Sequence, residues 1–239
     1  MKSGENAIVR WLGGNSIVVL IALLIVVTGT WAFIALADEV REGDTQRFDD
    51  WAIRRLRRAD DPATPVGPRW LIEVGRDITA LGGVAVLTLV TFAVAGYLAI
   101  THKHHAMWLA LIATFGGLIV SSILKHLIER ARPELVPHLS QVYTSSFPSG
   151  HSMLSAVVYL TLGSLLARLT PGWGVKIYLL SVALFLTFLV GVSRVYMGVH
   201  YPTDVLAGWT AGLVWAILCW LVARHLQHRG AVEKDHEKS

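Results

Sequence analysis

Six long stretches of the chain contain no charged residue, and they limit its possible folds more than any other feature. A helix needs roughly 20 apolar residues, within a range of about 17–25, to cross the hydrocarbon core of a bilayer. Four stretches reach that length, and the two shortest, 152–167 and 177–193, lie at its lower limit. The stretches are Ser16–Ala37, Ile78–Thr101, Ala106–Leu124, Ser152–Ala167, Ile177–Ser193 and Val205–Ala223.

The composition agrees with a membrane protein. Hydrophobic residues make up 54% of the chain and charged residues only 16%, whereas about a quarter of an ordinary soluble domain is charged. Buried helices of a soluble protein are the alternative for the two short stretches, but their four longer neighbours favour membrane spans. We therefore predict an all-α fold, a polytopic membrane bundle of six transmembrane helices.

The spans imply one membrane domain over residues 16–223, between an N-terminal segment 1–15 and a polar tail 224–239. The first stretch is longer than the roughly 7–15 apolar residues of a signal peptide, so we expect a retained span. Residues 38–77 form a long first loop, in which the spacing of apolar residues over 51–58 predicts a helix, either along the membrane surface or in a solvated loop. The single cysteine, Cys219, is expected to be a buried, inert thiol.

Charge alone does not orient the protein in the membrane. Six spans place the first, third and fifth loops on one side and both termini on the other. Of the 21 Lys and Arg residues, nine lie on the side of the termini and twelve on the opposite side. The positive-inside rule therefore leaves the orientation open.

Ionisable residues gather at the span ends on one side only. Ionisable groups close to membrane depth cost free energy, so they are by default functional candidates. They comprise three cations, two histidines and one carboxylate: Lys125, Arg132, Arg194, His151, His200 and Asp204. Three cations can neutralise a phosphate dianion, and the planar fork of arginine matches two phosphate oxygens. This set predicts a phosphate site.

The local spacing supports the same interpretation. Lys125 and Arg132 are seven residues apart and would share a helical face if the third span continued to Pro133. Ser149 is suited to cap the fourth span, and Gly150 lets the backbone approach an anion at that helix N-terminus.

His200 and Asp204 are four residues apart, so a helix would place the carboxylate beside the imidazole. A carboxylate in that position fixes the tautomer and makes the other ring nitrogen more basic. Metal binding is the rival interpretation, but the three cations would repel a divalent ion and no carboxylate cluster suits magnesium. We therefore expect no metal and no cofactor. A purely structural role, in which long polar side chains extend to the lipid head groups, would account for any one of these residues. It would not account for six of them on one side of the bundle.

Three motifs resemble those of the type 2 phosphatidic acid phosphatase (PAP2) family, which is itself similar to vanadium haloperoxidases and bacterial acid phosphatases. The first motif is Lys125, six further residues, then Arg132-Pro133; the second is 148–151, Pro-Ser-Gly-His. The third is Ser193-Arg194, five residues, His200, three residues and Asp204. All eleven fixed positions agree with the family pattern.

The resemblance implies a function for each residue. His200 would be the nucleophile that forms a phosphohistidine, Asp204 would orient it, and His151 would protonate the leaving oxygen and then activate water. Lys125, Arg132, Arg194, Ser149 and Gly150 would hold the phosphate oxygens. Because His200 must be neutral while His151 is protonated, a bell-shaped pH–rate profile is expected.

The implied function is hydrolysis of a lipid phosphate or diphosphate, with undecaprenyl diphosphate, phosphatidylglycerophosphate and phosphatidic acid as candidate substrates. A phosphotransferase with the same intermediate and a non-catalytic lipid binder or transporter are the alternatives. The partners expected are the lipid substrate and the bilayer, and the basic residues form no patch typical of nucleic-acid binding. The resemblance also implies a cell (inner) membrane location with the site facing the extracytoplasmic side.

Overall fold

The computed structural model describes residues 16–140 and 144–228, which form eight α-helices and no β-strand beyond one isolated bridge. The predicted N-terminal segment 1–15 and most of the predicted tail lie outside the described residues. The helices are α1 Ser16–Glu42, α2 Gln46–Arg55, α3 Trp70–Leu81, α4 Val84–Ile100, α5 His104–Leu127, α6 Gly150–Leu169, α7 Trp173–Tyr196 and α8 Pro202–His228. The last helix therefore continues beyond residue 223, where the polar tail was predicted to begin.

The predicted six-span, all-α architecture is confirmed, with one change in the second span. Five helices are each long and apolar enough to cross a membrane, and the count is six when α3 and α4, which are bent by 49° at their junction, are taken together as one broken span. The break falls at Gly82–Gly83, inside a stretch that the sequence predicted as one continuous helix. Glycine is costly in a helix and tolerates extended backbone, and Gly83 is extended, with φ −70° and ψ 144°. The span was predicted from the absence of charged residues, and the two glycines do not interrupt that stretch because glycine carries no charge.

Helix α6 is the centre of the bundle. Within its membrane-spanning window 67% of the residues are buried, compared with 11% in α1. Helix α8 crosses α6 at close range because two glycines face it: a Cβ at Gly208 would lie 2.6 Å from the carbonyl oxygen of Ser149, and a Cβ at Gly212 would lie 2.5 Å from that of Met153. Small residues allow such backbone approach between spans. The N-terminal ends of α6 and α8 are consequently neighbours.

The first loop covers this end of the bundle with the short helix α2. Its Asp49 and Ile53 are fully buried, and Ile53 packs against Val136 and Tyr201. Phe48 and Trp51, on the other face of α2, remain exposed. The predicted loop helix is thus present, displaced a few residues toward the N-terminus, with one face docked on the bundle.

Candidate active site

The site forms where α5 and α7 end and α6 and α8 begin, at one end of the bundle. Lys125 lies in the last turn of α5, His151 in the first turn of α6, and Arg194 in the last turn of α7. Asp204 lies in the first turn of α8, directly after the loop that carries His200. Four helix termini therefore bring together residues that are far apart in the sequence.

His200 is held from both ring nitrogens. Its side chain is 2% exposed, its Nδ1 lies 3.4 Å from Oδ2 of Asp204, and its Nε2 lies 3.1 Å from Nη1 of Arg132. Arginine can only donate hydrogen bonds, so Nε2 is the acceptor and Nδ1 carries the proton. The lone pair of Nε2 therefore points toward the cations. Helix α8 begins only at Pro202, so this contact forms although no continuous helix joins His200 to Asp204.

The pKa of the His200 imidazole falls to about 3. Burial is the main cause, the charges of Arg194 and Arg132 add to it, and the Asp204 carboxylate opposes it. The imidazole is thus neutral at physiological pH, which is the form that can act as a nucleophile.

Asp204 is itself held firmly. It has no exposed surface, and Oδ2 accepts hydrogen bonds from the backbone N–H of Tyr201, at 2.9 Å, and from the hydroxyl of Ser146. Oδ1 accepts from Nη1 of Arg130 at 2.6 Å. Both oxygens of the carboxylate therefore accept hydrogen bonds, which fix the plane of the carboxylate relative to the imidazole.

The three predicted cations converge, although Lys125 and Arg132 do not share a helical face. Helix α5 ends at Leu127, before Arg132, and the chain that follows is irregular. The residue preceding a proline is disfavoured in a helix, which is consistent with an irregular approach to Pro133. Arg132 is instead held by hydrogen bonds from its Nε to the carbonyl oxygen of Thr144, 2.8 Å, and from its Nη1 to that of Val199, 2.7 Å.

The other two cations are anchored in the bundle. Lys125 Nζ donates to the carbonyl oxygen of Ser145 at 2.7 Å. Arg194 is 2% exposed, and its Nη1 donates to Oγ1 of Thr79 at 3.0 Å. Its Nε finds no hydrogen-bond partner among the described residues. A buried guanidinium with an unused donor is expected where an anion binds.

His151 faces the break between α3 and α4. A Cβ at Gly82 would lie 3.3 Å from the Cβ of His151, and a Cβ at Gly83 would lie 4.0 Å from its Nε2. The charges of Arg194, Lys125 and Arg132 all act on this imidazole. The two glycines thus make room for His151 beside the cations.

Ser149 and Gly150 shape the start of α6 as predicted from the sequence. The hydroxyl oxygen of Ser149 accepts from the backbone N–H of Ser152 at 3.4 Å, and its own N–H donates to the carbonyl oxygen of Asp204 at 2.9 Å. A Cβ at Gly150 would lie 3.4 Å from Cε of Lys125. Because Gly150 has no side chain, Lys125 can lie close to the N-terminus of α6.

Sequence reasoning missed four residues that support the site: Asp49, Thr79, Arg130 and Ser146. Arg130 lies two residues before Arg132, and the phosphate-binding motif does not include it. Asp49 and Thr79 lie in other parts of the chain, and no spacing connects them to the motifs. Only the folded structure reveals their contacts.

A cavity of about 500 Å³ adjoins Lys125 at the end of α5. Its lining is polar or charged except for one alanine: Ser122, Lys125, His126, Glu129, Arg130, Ala131, Thr144 and Ser145. A group bound by Lys125 would therefore have space beside it. Among the described residues no group of three His, Cys, Asp or Glu side chains is arranged to hold a metal ion.

Comparisons with known proteins agree with these motifs. Residues 105–227 match the PAP2 superfamily. Phosphatidylglycerophosphatase B of Bacillus subtilis (strain 168) is 38% identical over 187 residues, covering 76% of this chain and 86% of the relative. A lipid A 1-phosphatase of Rhizobium johnstonii is 30% identical over 124 residues, covering 48% of this chain and 46% of the relative.

A solved structure shares the fold. The crystal structure of a transmembrane PAP2-type phosphatidylglycerolphosphate phosphatase from Bacillus subtilis superposes with a TM-score of 0.76 at 29% identity, covering 88% of this chain and 98% of that one. The chain belongs to the PAP2 superfamily, and the enzyme class predicted from its motifs, a lipid phosphatase, is confirmed.

Proposed function

We propose that the protein hydrolyses a phosphate monoester or diphosphate of a membrane lipid through a phosphohistidine formed on Nε2 of His200. One observation carries this proposal: the imidazole is neutral, its Nδ1 proton points to Asp204, and its Nε2 points to Arg132. Binding a phosphate requires only the cations, whereas this arrangement prepares a nucleophile. The oriented imidazole therefore favours catalysis over simple lipid binding.

In the first step the Nε2 lone pair attacks phosphorus, and the bond between phosphorus and the lipid oxygen breaks. His151 donates its proton to that oxygen. Lys125, Arg132 and Arg194 stabilise the charge on the equatorial oxygens, assisted by Ser149 and the backbone of Gly150 at the start of α6. Such positioning and charge stabilisation provide most of the catalysis in phosphoryl transfer.

In the second step His151, now neutral, takes a proton from water. The resulting hydroxide attacks phosphorus, the bond between phosphorus and Nε2 breaks, and inorganic phosphate leaves. Both histidines return to their initial protonation states. The three cations supply the positive charge that a divalent metal supplies in other phosphatases, so the reaction proceeds without metal.

Phosphatidylglycerophosphate is the first substrate to test, because a relative that is 38% identical and matched over 86% of its length is named for that activity. The cavity beside Lys125 offers space for the polar head group next to the phosphate. Undecaprenyl diphosphate and phosphatidic acid are the other substrates to test. We place the site on the extracytoplasmic side of the cell (inner) membrane.

Phosphate release by the purified protein in detergent, with a chelator present, tests this proposal. We expect release from at least one of the three lipids, loss of release in His200→Ala, and unchanged release in His104→Ala, an exposed histidine at the start of α5. Loss of activity on chelation, or retained activity in His200→Ala, would overturn the mechanism.

Trapping the intermediate separates the functions of the two histidines. A phosphate-labelled substrate is mixed with enzyme and quenched in alkali, in which phosphohistidine survives. His151→Gln is expected to accumulate label with a diphosphate substrate, since that leaving group needs less protonation while water activation is lost. His200→Ala is expected to take up no label, and label in that variant would contradict the assignment.

A further inference from the structure

Arg130 joins two carboxylates that are fully buried in the protein. Its Nη1 lies 2.6 Å from Oδ1 of Asp204, and its Nη2 lies 2.7 Å from Oδ2 of Asp49. The Arg130 side chain is itself only 9% exposed, and both aspartates are 0% exposed. Asp49 belongs to α2 in the first loop, so this cation connects that loop to the carboxylate that contacts His200.

The surrounding groups complete the network. Thr203 donates from Oγ1 to Oδ2 of Asp49 at 2.6 Å and accepts from Nη1 of Arg130 at 2.8 Å. The backbone N–H of Thr203 donates to Oδ1 of Asp49 at 3.2 Å. The ring of Tyr201 lies 4.3 Å from Cζ of Arg130, and its hydroxyl accepts from Gln46 at 3.1 Å. Buried charges are tolerated when they are paired and fully hydrogen-bonded in this way.

We propose that Arg130 and Asp49 are positioning residues for the reaction: Arg130 fixes the plane of the Asp204 carboxylate, and Asp49 balances the charge of Arg130. Arg130 binds Oδ1, so the Nδ1 proton of His200 is directed to Oδ2, the oxygen that also accepts from the backbone N–H of Tyr201 and the hydroxyl of Ser146. The inference rests on the proposed nucleophilic function of His200. It assigns a function to α2 as well, because α2 contributes the charge that completes the network.

The charge balance predicts opposite effects of two substitutions. Asp204 favours protonation of His200, and an unbalanced Arg130 would weaken that influence. Asp49→Asn leaves Arg130 unbalanced, so the pKa of His200 falls and the acid limb of the pH–rate profile moves to lower pH. Arg130→Met removes the cation, so the limb moves to higher pH. Each shift is expected to be about 1 pH unit, the size that a nearby charge produces.

The other charged and titratable groups around His200 and Asp204 are unchanged in these variants. They are Lys125 from α5, His151 from α6, Arg194 from α7, Arg132 from the loop after α5, and Tyr201, whose hydroxyl lies near Asp50 of α2. Burial would lower the pKa of Arg130, but the carboxylates of Asp204 and Asp49 outweigh it and raise the pKa. Arg130 therefore stays charged across the whole profile.

The experiment measures kcat and KM against pH for wild type, Asp49→Asn, Arg130→Met, Arg130→Lys and the double variant Asp49→Asn/Arg130→Met. The double variant restores the charge balance and is expected to return the acid limb toward its wild-type position. Arg130→Lys keeps the charge but cannot reach both carboxylates, so kcat should fall by about 100-fold with little shift of the limb. KM should change little in every variant, because the phosphate-binding cations are intact.

The matched control is Arg58 with Asp60, an exposed pair in the same loop whose side chains are 56% and 70% exposed. Arg58→Met and Asp60→Asn are expected to leave the rate and the profile unchanged. If Arg130→Met does not fold, Asp49→Asn and the double variant still test the charge balance. Shifts in the same direction for the two single variants, or a profile that does not move, would overturn the inference.

Failure of this inference is distinguishable from failure of the proposed function. If His200→Ala is inactive while the Arg130 and Asp49 variants retain the wild-type kcat and profile, only the positioning function is wrong. If His200→Ala remains active, the nucleophile itself is wrongly assigned.

Discussion

At the scale of single residues, the burial of His200 affects stability as well as catalysis. The pKa of His200 is about 3 in the folded protein, whereas an unperturbed histidine has a pKa of about 6.5. Below about pH 6.5 the unfolded chain takes up a proton that the folded protein does not, so stability falls as the pH falls. Above about pH 6.5 neither state binds this proton, so the stability is no longer reduced by the titration of His200.

We therefore expect wild type to lose about 2 kcal/mol more stability than His200→Gln between about pH 7.5 and about pH 5. Glutamine does not titrate, so the variant lacks this contribution. Thermal unfolding in detergent at both pH values measures it, with His104→Gln as the control for an exposed histidine. Equal losses in wild type and His200→Gln would show that the imidazole is not buried in its neutral form.

Thr79 is expected to control substrate binding through Arg194. Its Oγ1 accepts from Arg194 Nη1 at 3.0 Å and from Ser193 Oγ at 3.0 Å. Thr79→Val keeps the shape but removes the acceptor, which releases a guanidinium proposed to hold phosphate. A guanidinium that is no longer oriented by this contact should bind the phosphate less well, so KM should rise by about tenfold, while Thr79→Ser should remain close to wild type.

The control for Thr79 is Thr91→Val, which removes a buried hydrogen bond of 3.1 Å to Thr114, between two spans. It is expected to alter stability without altering KM. A KM that is equal in Thr79→Val and Thr91→Val would mean that Arg194 does not need this contact.

At the scale of helices, hydropathy predicted the spans but not their breaks and ends. Charge-free stretches locate helices because each span must satisfy its backbone hydrogen bonds internally within the bilayer. The bend at Gly82–Gly83, which lies beside His151, does not interrupt the hydropathy pattern with a charge, and α5 continues past the charge of Lys125 to Leu127. The same limit applies to the candidate site: the convergence of motif residues such as His200 could be predicted from the sequence, whereas the partners of Arg130 could not, because tertiary packing alone places Asp49 beside it.

The break between α3 and α4 is expected to be required for activity. A Cβ at Gly82 would collide with Val190 and lie 3.3 Å from both Cβ and the carbonyl oxygen of His151. Gly82→Ala should therefore displace His151 and reduce kcat/KM by at least about tenfold. Gly96→Ala is the matched control, because Gly96 lies within α4 and a Cβ there would meet nothing within 4 Å. Equal activity of the two variants would show that the break does not position His151.

At the scale of the whole molecule, the arrangement of the site at one end of the bundle makes membrane orientation a functional question. The ends of α5 and α7 and the starts of α6 and α8 must face the side on which phosphate is released. The Lys and Arg residues do not determine that side, since nine lie with the termini and twelve opposite. Several of the twelve are committed to the site or its support, including Arg130 and Arg132, so they cannot be counted as topological signals.

The proposed orientation can be tested by labelling cysteines introduced into a variant that lacks Cys219. Cys219 is the single cysteine and is buried, so Cys219→Ala provides a background for new cysteines at exposed positions. Ala63→Cys marks the first loop, on the side of the site, and Lys103→Cys marks the second loop, on the opposite side. In intact cells a membrane-impermeant maleimide should label Ala63→Cys and should label Lys103→Cys only after the membrane is opened. The reverse pattern would place the site on the cytoplasmic side, so that phosphate would be released into the cytoplasm.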